Sequence, residues 1–150
     1  MNSLAMKIKH PKLRGEWAEL RFMAAAAEHG LSATKPWGDA LQYDFVVERA
    51  GRFTRVQVKS TGHKCKAGYR CHVRRCRGPY GADPFDFVAV YLVPVDIWYL
   101  IPEPVMQGRT SVLLYPQLEG SKYWPYLEAW ELLTVKPRKV TRTAKSRPAL

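Results

Sequence analysis

The sequence predicts a single α/β domain, and three groups of residues carry that prediction. Residues 16–29 are good helix formers, Tyr43–Glu48 and Arg52–Lys59 are rich in β-formers, and Phe85–Val93 with Ile97–Ile101 are apolar runs of strand length. The chain has 150 residues and is 47% hydrophobic, which is enough for one packed core.

The first element is predicted as a helix over residues 16–29. Its apolar stripe at helical spacing consists of Trp17, Leu20, Ala24 and Ala27. Gly30 follows as a C-terminal stop, and residues 1–14 are interpreted as a basic lead-in arm. In such a helix Glu16 and Glu19 lie near the N-terminus, where the helix dipole alone accounts for acidic side chains.

A short strand over residues 31–36 and a loop precede a predicted β-hairpin. Ala50 and Gly51 form its turn, since glycine supplies the backbone angles that tight hairpins require. Arg49 then faces Arg52, and counting back along both strands places Asp44 opposite Gln57.

The rest of the chain predicts further strands and a final helix. Residues 69–75 alternate as a strand, 85–93 and 97–101 form a second hairpin, and 112–115 form a last strand. Residues 123–133 suit a terminal helix with a proline in its first turn. We expect one domain over residues 1–135, followed by a basic, mobile tail over 136–150.

The charge balance points to a polyanionic partner. Lys and Arg number 24 against 13 Asp and Glu, so the formal net charge is +11, and DNA is the first candidate. An acidic membrane surface is the alternative, but the basic residues do not fall on an amphipathic helix. Pro94 and Asp96 interrupt the longest apolar segment, and no secretion signal is visible, so we expect no membrane span and a cytoplasmic location.

Basic residues concentrate between Lys59 and Arg77, a segment without any acidic residue. It would contact phosphates or read guanine edges, or else be a solvated basic face. The candidate nucleic-acid-binding residues are Lys64, Lys66, Arg70, His72, Arg74, Arg75 and Arg77.

Three cysteines lie in the same segment, at positions 65, 71 and 76. Their odd number argues against a disulfide framework, and the C-x5-C-x4-C spacing of Cys65, Cys71 and Cys76 lacks the tight C-x2-C turn of zinc sites. We interpret them as reduced cysteines in or near a strand, with a zinc-stabilised adaptor as the alternative.

The hairpin geometry brings a possible chemical site together. Gln57 and Lys59 are two residues apart and point to one face of their strand, which Asp44 shares from the opposite strand. A carboxylate, an amide oxygen and an ammonium group suit a hard divalent cation and a phosphate. Taken singly, each of these residues also fits a solvated surface.

These motifs resemble the PD-(D/E)xK nuclease superfamily. Its signature is a helix glutamate, an aspartate at the start of a strand, and an acidic residue two before a lysine on the next strand. Here the order is Glu19, Asp44 and Gln57-Val58-Lys59. The glutamine variant resembles the branch that includes small group I intron-encoded homing endonucleases, and the resemblance extends over residues 13–133, including the second hairpin.

The resemblance implies a restriction-endonuclease-like core, with a mixed central β-sheet flanked by helices, and a metal-dependent DNA endonuclease. Asp44, Glu19 and Gln57 would hold Mg²⁺, or Mn²⁺ as a substitute, and Lys59 would orient the attacking water. Two departures are Tyr43 where the motif has Pro, and the uncharged Gln57, which binds a cation more weakly than a carboxylate.

Other functions remain open on this fold. One is a nucleic-acid-binding module that has lost catalysis, and others are a junction-resolving or a restriction-type nuclease. The expected partners are double-stranded DNA and further copies of the chain, as a homodimer or homotetramer, because one active site per chain cuts one strand.

Overall fold

The computed structural model describes residues 7–73, 85–106 and 108–134. These residues form two α-helices, α1 (Pro11–Glu28) and α2 (Glu103–Met106). Short 3₁₀ turns span Val93–Val95, Trp124–Tyr126 and Trp130–Thr134. The strands are β1 (Ser32–Thr34), β2 (Phe45–Arg49), β3 (Arg52–Thr61), β4 (Lys64–Cys65), β5 (Gly68–His72), β6 (Phe87–Leu92), β7 (Ile97–Pro102) and β8 (Ser111–Leu114).

The strands form one five-stranded sheet and one small sheet. The central sheet has the order β1-β2-β3-β6-β7, and β3 pairs with β6 in parallel while its other pairs are antiparallel. The small sheet has the order β4-β5-β8. The mixed α/β architecture predicted from the sequence is therefore confirmed, as is the second hairpin, β6 with β7.

The β2–β3 hairpin has the register that the sequence predicts. Arg49 pairs with Arg52 and Phe45 pairs with Val56, so Asp44 comes next, opposite Gln57. Both turn residues have positive φ, 51° at Ala50 and 74° at Gly51. Positive φ at both central positions defines the tight turn whose twist matches that of the paired strands.

Helix α1 begins earlier than predicted. It starts at Pro11, so the interpretation of residues 1–14 as an arm is wrong for the residues after His10. Proline suits the first helical position because its missing N–H would have no helical partner there. His10 caps the helix, its Nδ1 accepting a long hydrogen bond of 3.5 Å from the Leu13 N–H. The helix ends before Gly30, as expected.

The buried face of α1 also differs from the predicted stripe. Ala18, Phe22 and Ala26 are buried, whereas Leu20 is 66% exposed. An alanine-rich helix offers several stripes at the same spacing, and burial of the large Phe22 ring removes more apolar surface from water. Phe22 packs against Phe45, with ring centroids 5.3 Å apart.

Two apolar cores lie on the two faces of the central sheet. Val56 and Val58 of β3 face the core that α1 covers, together with Phe22. Val88 and Val90 of β6 face the second core, which the small sheet covers. Because side chains alternate along a strand, residues 57 and 59 of β3 point toward the small sheet.

The helix predicted over residues 123–133 is not formed. Two 3₁₀ turns replace it, and Glu128 between them has a φ of 49°. The Glu128 carboxylate accepts hydrogen bonds from the Trp98 N–H and the Trp130 Nε1–H, both at 2.7 Å. Leu127 bridges to Tyr99, so this segment covers the edge of β7 instead of forming a helix.

Several sequence predictions fall on residues outside the described ranges. These are Arg74, Arg75, Arg77, Cys76 and the tail 136–150. Within the described ranges, neither helix combines the length and apolarity of a membrane span.

Candidate active site

Asp44 lies where β2 begins, beside the middle of β3. Pairing between the two strands starts at Phe45 and Val56, while β3 continues to Thr61 with β6 on its other side. The Asp44 carboxylate accepts a 2.7 Å hydrogen bond from the Val58 N–H. The side chain therefore satisfies a backbone donor that β2 no longer reaches, and this contact fixes the carboxylate against β3.

Gln57 lies on β3 with its amide group held in one orientation. Its Nε2 donates a 3.0 Å hydrogen bond to the Gln42 carbonyl oxygen, on the segment that leads to Asp44. Its Oε1 is buried and has no hydrogen-bond partner among the described residues. A buried amide oxygen costs free energy unless it is paired, so this atom indicates a site for a donor or a cation.

Asp44 interacts electrostatically with Glu19 and with two lysines. Burial raises the pKa of Asp44 above its usual range, and the hydrogen bond from Val58 opposes that shift. The negative charge of Glu19 raises this pKa further, and the positive charges of Lys59 and Lys35 lower it. A divalent cation near this carboxylate would relieve the same repulsion.

Glu19 lies on α1, eight residues past Pro11, and forms an ion pair with Lys35. The dipole interpretation of Glu19 is wrong, because the first turn of α1 contains no acidic residue. Lys35 was not predicted as a site residue. Its ammonium group also lies 5.4 Å from the centre of the buried Phe45 ring. Sixteen residues separate Lys35 from Glu19, and no local sequence motif connects them.

The donor set fits a hard divalent cation. The carboxylates of Asp44 and Glu19 are hard oxygen donors, and the Oε1 of Gln57 is the third such donor. No group of three or more His, Cys, Asp or Glu side chains in the described part of the chain is placed to hold a metal ion. A divalent cation at this centre would therefore depend on the amide oxygen.

The two described cysteines lie outside this centre. Cys71 is buried in the second core, and burial raises the pKa of its thiol to about 12. Because the thiolate is the metal-binding form, this environment disfavours zinc binding at Cys71. Cys65 lies on β4 and is partly exposed.

The small sheet presents basic side chains next to the end of β3. The Thr61 hydroxyl donates a 2.6 Å hydrogen bond to the Arg70 carbonyl oxygen, which joins β5 to β3 two residues beyond Lys59. The exposed predicted DNA contacts in the described ranges are Lys64, Lys66, Arg70 and His72.

A groove of about 440 Å³ crosses the same sheet. Arg70, Arg109 and Lys122 contribute its cationic lining. Arg109 and Lys122 were missed at the sequence level, because neither belongs to the basic run and only the fold brings them beside Arg70. The lining therefore carries three positive charges, which favour an anionic ligand.

The fold carries a helix glutamate, an aspartate at the start of one strand and a Gln-x-Lys pair on the next strand. This order of motifs on a mixed sheet is typical of restriction-endonuclease-like proteins. The family model of the PD-(D/E)XK endonucleases matches residues 9–133, and the chain belongs to that family. The comparison with curated proteins gives no significant match.

Solved structures with a similar fold include a homing endonuclease and a junction resolvase. The bacterial homing endonuclease I-Ssp6803I is 31% identical with a TM-score of 0.71, over 83% of this chain and 91% of that one. Hjc, a Holliday junction resolvase from the archaeal hyperthermophile Archaeoglobus fulgidus, is 16% identical with a TM-score of 0.53, over 81% of this chain and 96% of that one. The second likeness concerns the fold alone.

Proposed function

We propose that this chain is a metal-dependent DNA endonuclease that hydrolyses phosphodiester bonds at specific sites in double-stranded DNA. The observation that carries the proposal is the buried Oε1 of Gln57, which has no hydrogen-bond partner among the described residues. Gln57 lies on the strand that also holds Asp44 through Val58. Membership of the PD-(D/E)XK endonuclease family supports it.

Each residue of the centre has a distinct role in the proposal. Asp44 supplies the main anionic oxygen, and Gln57, oriented by the Gln42 carbonyl, completes the set of oxygen ligands. Glu19 adds a second negative charge, which Lys35 balances when no cation is bound. Mg²⁺, or Mn²⁺ in its place, would polarise the phosphodiester and lower the pKa of a bound water.

Lys59 completes the chemistry on the same face of β3 as Gln57. Its ammonium group orients the attacking water and offsets the charge that develops on the phosphate in the transition state. Burial raises the pKa of Cys71 on β5 and the positive charge of Lys59 lowers it, so Lys59 is also near the small sheet. A duplex bound to Arg70 and the groove would therefore pass the centre.

The partners follow from the charge and from the single candidate centre per chain. A net charge of +11 favours the DNA backbone, and the likeness to a homing endonuclease supports a site-specific role. A homodimer or homotetramer would place two centres on the two strands. The single domain over 1–135, the basic tail over 136–150 and the cytoplasmic location stay predictions.

A second candidate is a DNA-binding module on the same fold. Two observations favour it: Gln57 brings no charge to the cation, and Glu19 is already paired with Lys35. The two functions differ in whether a divalent metal converts bound DNA to product.

The test is cleavage of plasmid and four-way-junction DNA with and without Mg²⁺, by the wild type, two site variants and one control variant. Asp44→Asn should abolish cleavage, while metal-free binding holds or tightens because a negative charge near the phosphate is removed. Lys59→Ala should also lose cleavage but bind slightly more weakly. Glu28→Gln removes the same charge from the last residue of α1 and is the matched control.

A wild type that cuts neither substrate with any divalent metal, while both variants bind like the wild type, would establish the binding module instead. Cleavage that persists in Asp44→Asn would show that the centre lies elsewhere.

A further inference from the structure

The loop between β1 and β2 carries the most exposed large apolar side chain among the described residues. Trp37 is 102% exposed, and Leu41 in the same loop is 50% exposed. Tryptophan is highly buried on average because its indole ring has a large apolar surface. Full exposure of Trp37 therefore leaves a large apolar surface available to a partner.

Both ends of this loop are attached to the candidate active site. Lys35 pairs with Glu19 at one end, and at the other the Gln42 carbonyl accepts the hydrogen bond that orients Gln57. Trp37 is two residues from Lys35, so their Cα atoms are at most about 7 Å apart. The ion pair between Lys35 and Glu19 therefore keeps the Trp37 end of the loop beside the candidate active site.

The loop offers a partner apolar surface rather than positive charge. No lysine or arginine lies between Pro36 and Gln42, and Asp39 would repel a phosphate. Gly38 follows Trp37 with a φ of 78°, a turn that glycine adopts freely. The apolar surfaces of DNA are the faces of its bases, so a base is the complementary partner for the indole.

We propose that Trp37 stacks on a nucleobase next to the phosphate that is cut, with Leu41 beside it. The base is exposed at a kinked step or an unpaired position, because a stacked duplex covers both of its faces. This inference rests on the proposed function for the position of the DNA, and it assigns the residue that contacts the base there.

The test measures affinity in chelating buffer without divalent metal, so it does not depend on cleavage. The probes are a 30-base-pair duplex and the same duplex with a short single-stranded gap. The variants are Trp37→Ala, Trp37→Phe and the control Phe53→Ala, which removes a ring that is 72% exposed next to the opposite end of the β2–β3 hairpin.

Trp37→Ala should bind the gapped probe about 5- to 150-fold more weakly, the range measured for loss of one base stack. Trp37→Phe should retain most of the affinity, because a phenyl ring still stacks, and Phe53→Ala should bind like the wild type. The slope of log affinity against log salt should not change in Trp37→Ala, because no phosphate contact is lost.

Equal affinity of Trp37→Ala and wild type for both probes would overturn the inference. So would a change of oligomeric state in Trp37→Ala by sedimentation, which would assign the indole to a contact between copies of the chain. If Trp37→Ala weakens binding to the gapped probe but the wild type never cleaves DNA, the stacking is supported and the proposed nuclease activity is refuted. A wild type that binds neither probe would refute both.

Discussion

Replacing Gln57 by Glu tests how the amide group is held. In the wild type Nε2 donates to the Gln42 carbonyl oxygen at 3.0 Å, and Oε1 has no partner among the described residues. The glutamate has no N–H, so one of its oxygens faces the carbonyl oxygen, and its charge lies near Asp44. We therefore expect a metal-free fold that is less stable than the wild type.

The size of the loss follows from two contributions. The amide hydrogen bond contributes about 1 kcal/mol net. The added charge costs on the order of 1–2 kcal/mol beside a partly buried carboxylate, because Lys59 offsets part of the repulsion. Together they lower the free energy of unfolding by about 2–3 kcal/mol, which corresponds to about 4–12 °C in Tm for a chain of this size.

The assay is thermal and urea unfolding of Gln57→Glu, Gln57→Leu and the wild type, with and without Mg²⁺. Gln57→Leu loses the hydrogen bond but adds no charge, so it should lose about 1 kcal/mol. Saturating Mg²⁺ stabilises a protein that binds it, by about 2.7 kcal/mol at 100 times Kd. Mg²⁺ should raise the free energy of unfolding most in Gln57→Glu and least in Gln57→Leu.

Two results would contradict these roles of the Gln57 amide group. Gln57→Glu as stable as the wild type without metal would show that the amide is not held as described. Gln57→Leu gaining as much from Mg²⁺ as the wild type would show that Oε1 is not a ligand. In cleavage we expect Gln57→Glu to be reduced rather than inactive, because the new carboxylate draws Lys59 into an ion pair.

Three further predictions concern stability and binding. Phe22→Ala removes a fully buried ring and should cost about 3–5 kcal/mol in urea unfolding, and a loss below 1 kcal/mol would contradict the assigned core. The hydrogen bond from Tyr91, together with Arg21, holds the pKa of Asp96 below its ordinary value of 3.8. That stabilisation is present above about pH 4 and disappears as pH falls through the lowered pKa. Asp96→Asn should therefore lower the free energy of unfolding by about 1 kcal/mol at pH 7 and approach the wild type in acid. A difference in stability that stays constant with pH would refute the assignment. Arg70→Gln should reduce the salt slope of DNA binding by about 0.9, and an unchanged slope would exclude a phosphate contact.

The hairpin was the most predictable part of the fold and of the candidate site. A glycine in the turn fixes the register, and the two-residue alternation of strands then places Asp44 next to Gln57. Both rules depend only on residues close together in the sequence, so a single sequence is enough to apply them. The alternation predicted for residues 69–75 is present on β5, where Arg70 is exposed and Cys71 is buried.

The failures concern positions where tertiary contacts decide between equivalent local patterns. The α1 sequence permits several apolar stripes, and only the sheet selects Phe22 over Leu20. Residues 123–133 have helical composition, but Glu128 binds the backbone of β7 and bends the chain. Lys35, beside Glu19, depends on the pairing of β1 with β2, which no nearby motif encodes.

The most direct test of the central claim is anomalous diffraction from crystals of the wild type and Asp44→Asn grown with Mn²⁺. We expect a Mn²⁺ peak in the wild type within coordination distance of Asp44 and of Gln57 Oε1, and its loss or marked weakening in Asp44→Asn. A wild type that cleaves DNA with Mn²⁺ bound at other residues, and with Gln57 Oε1 left without a ligand, would contradict it.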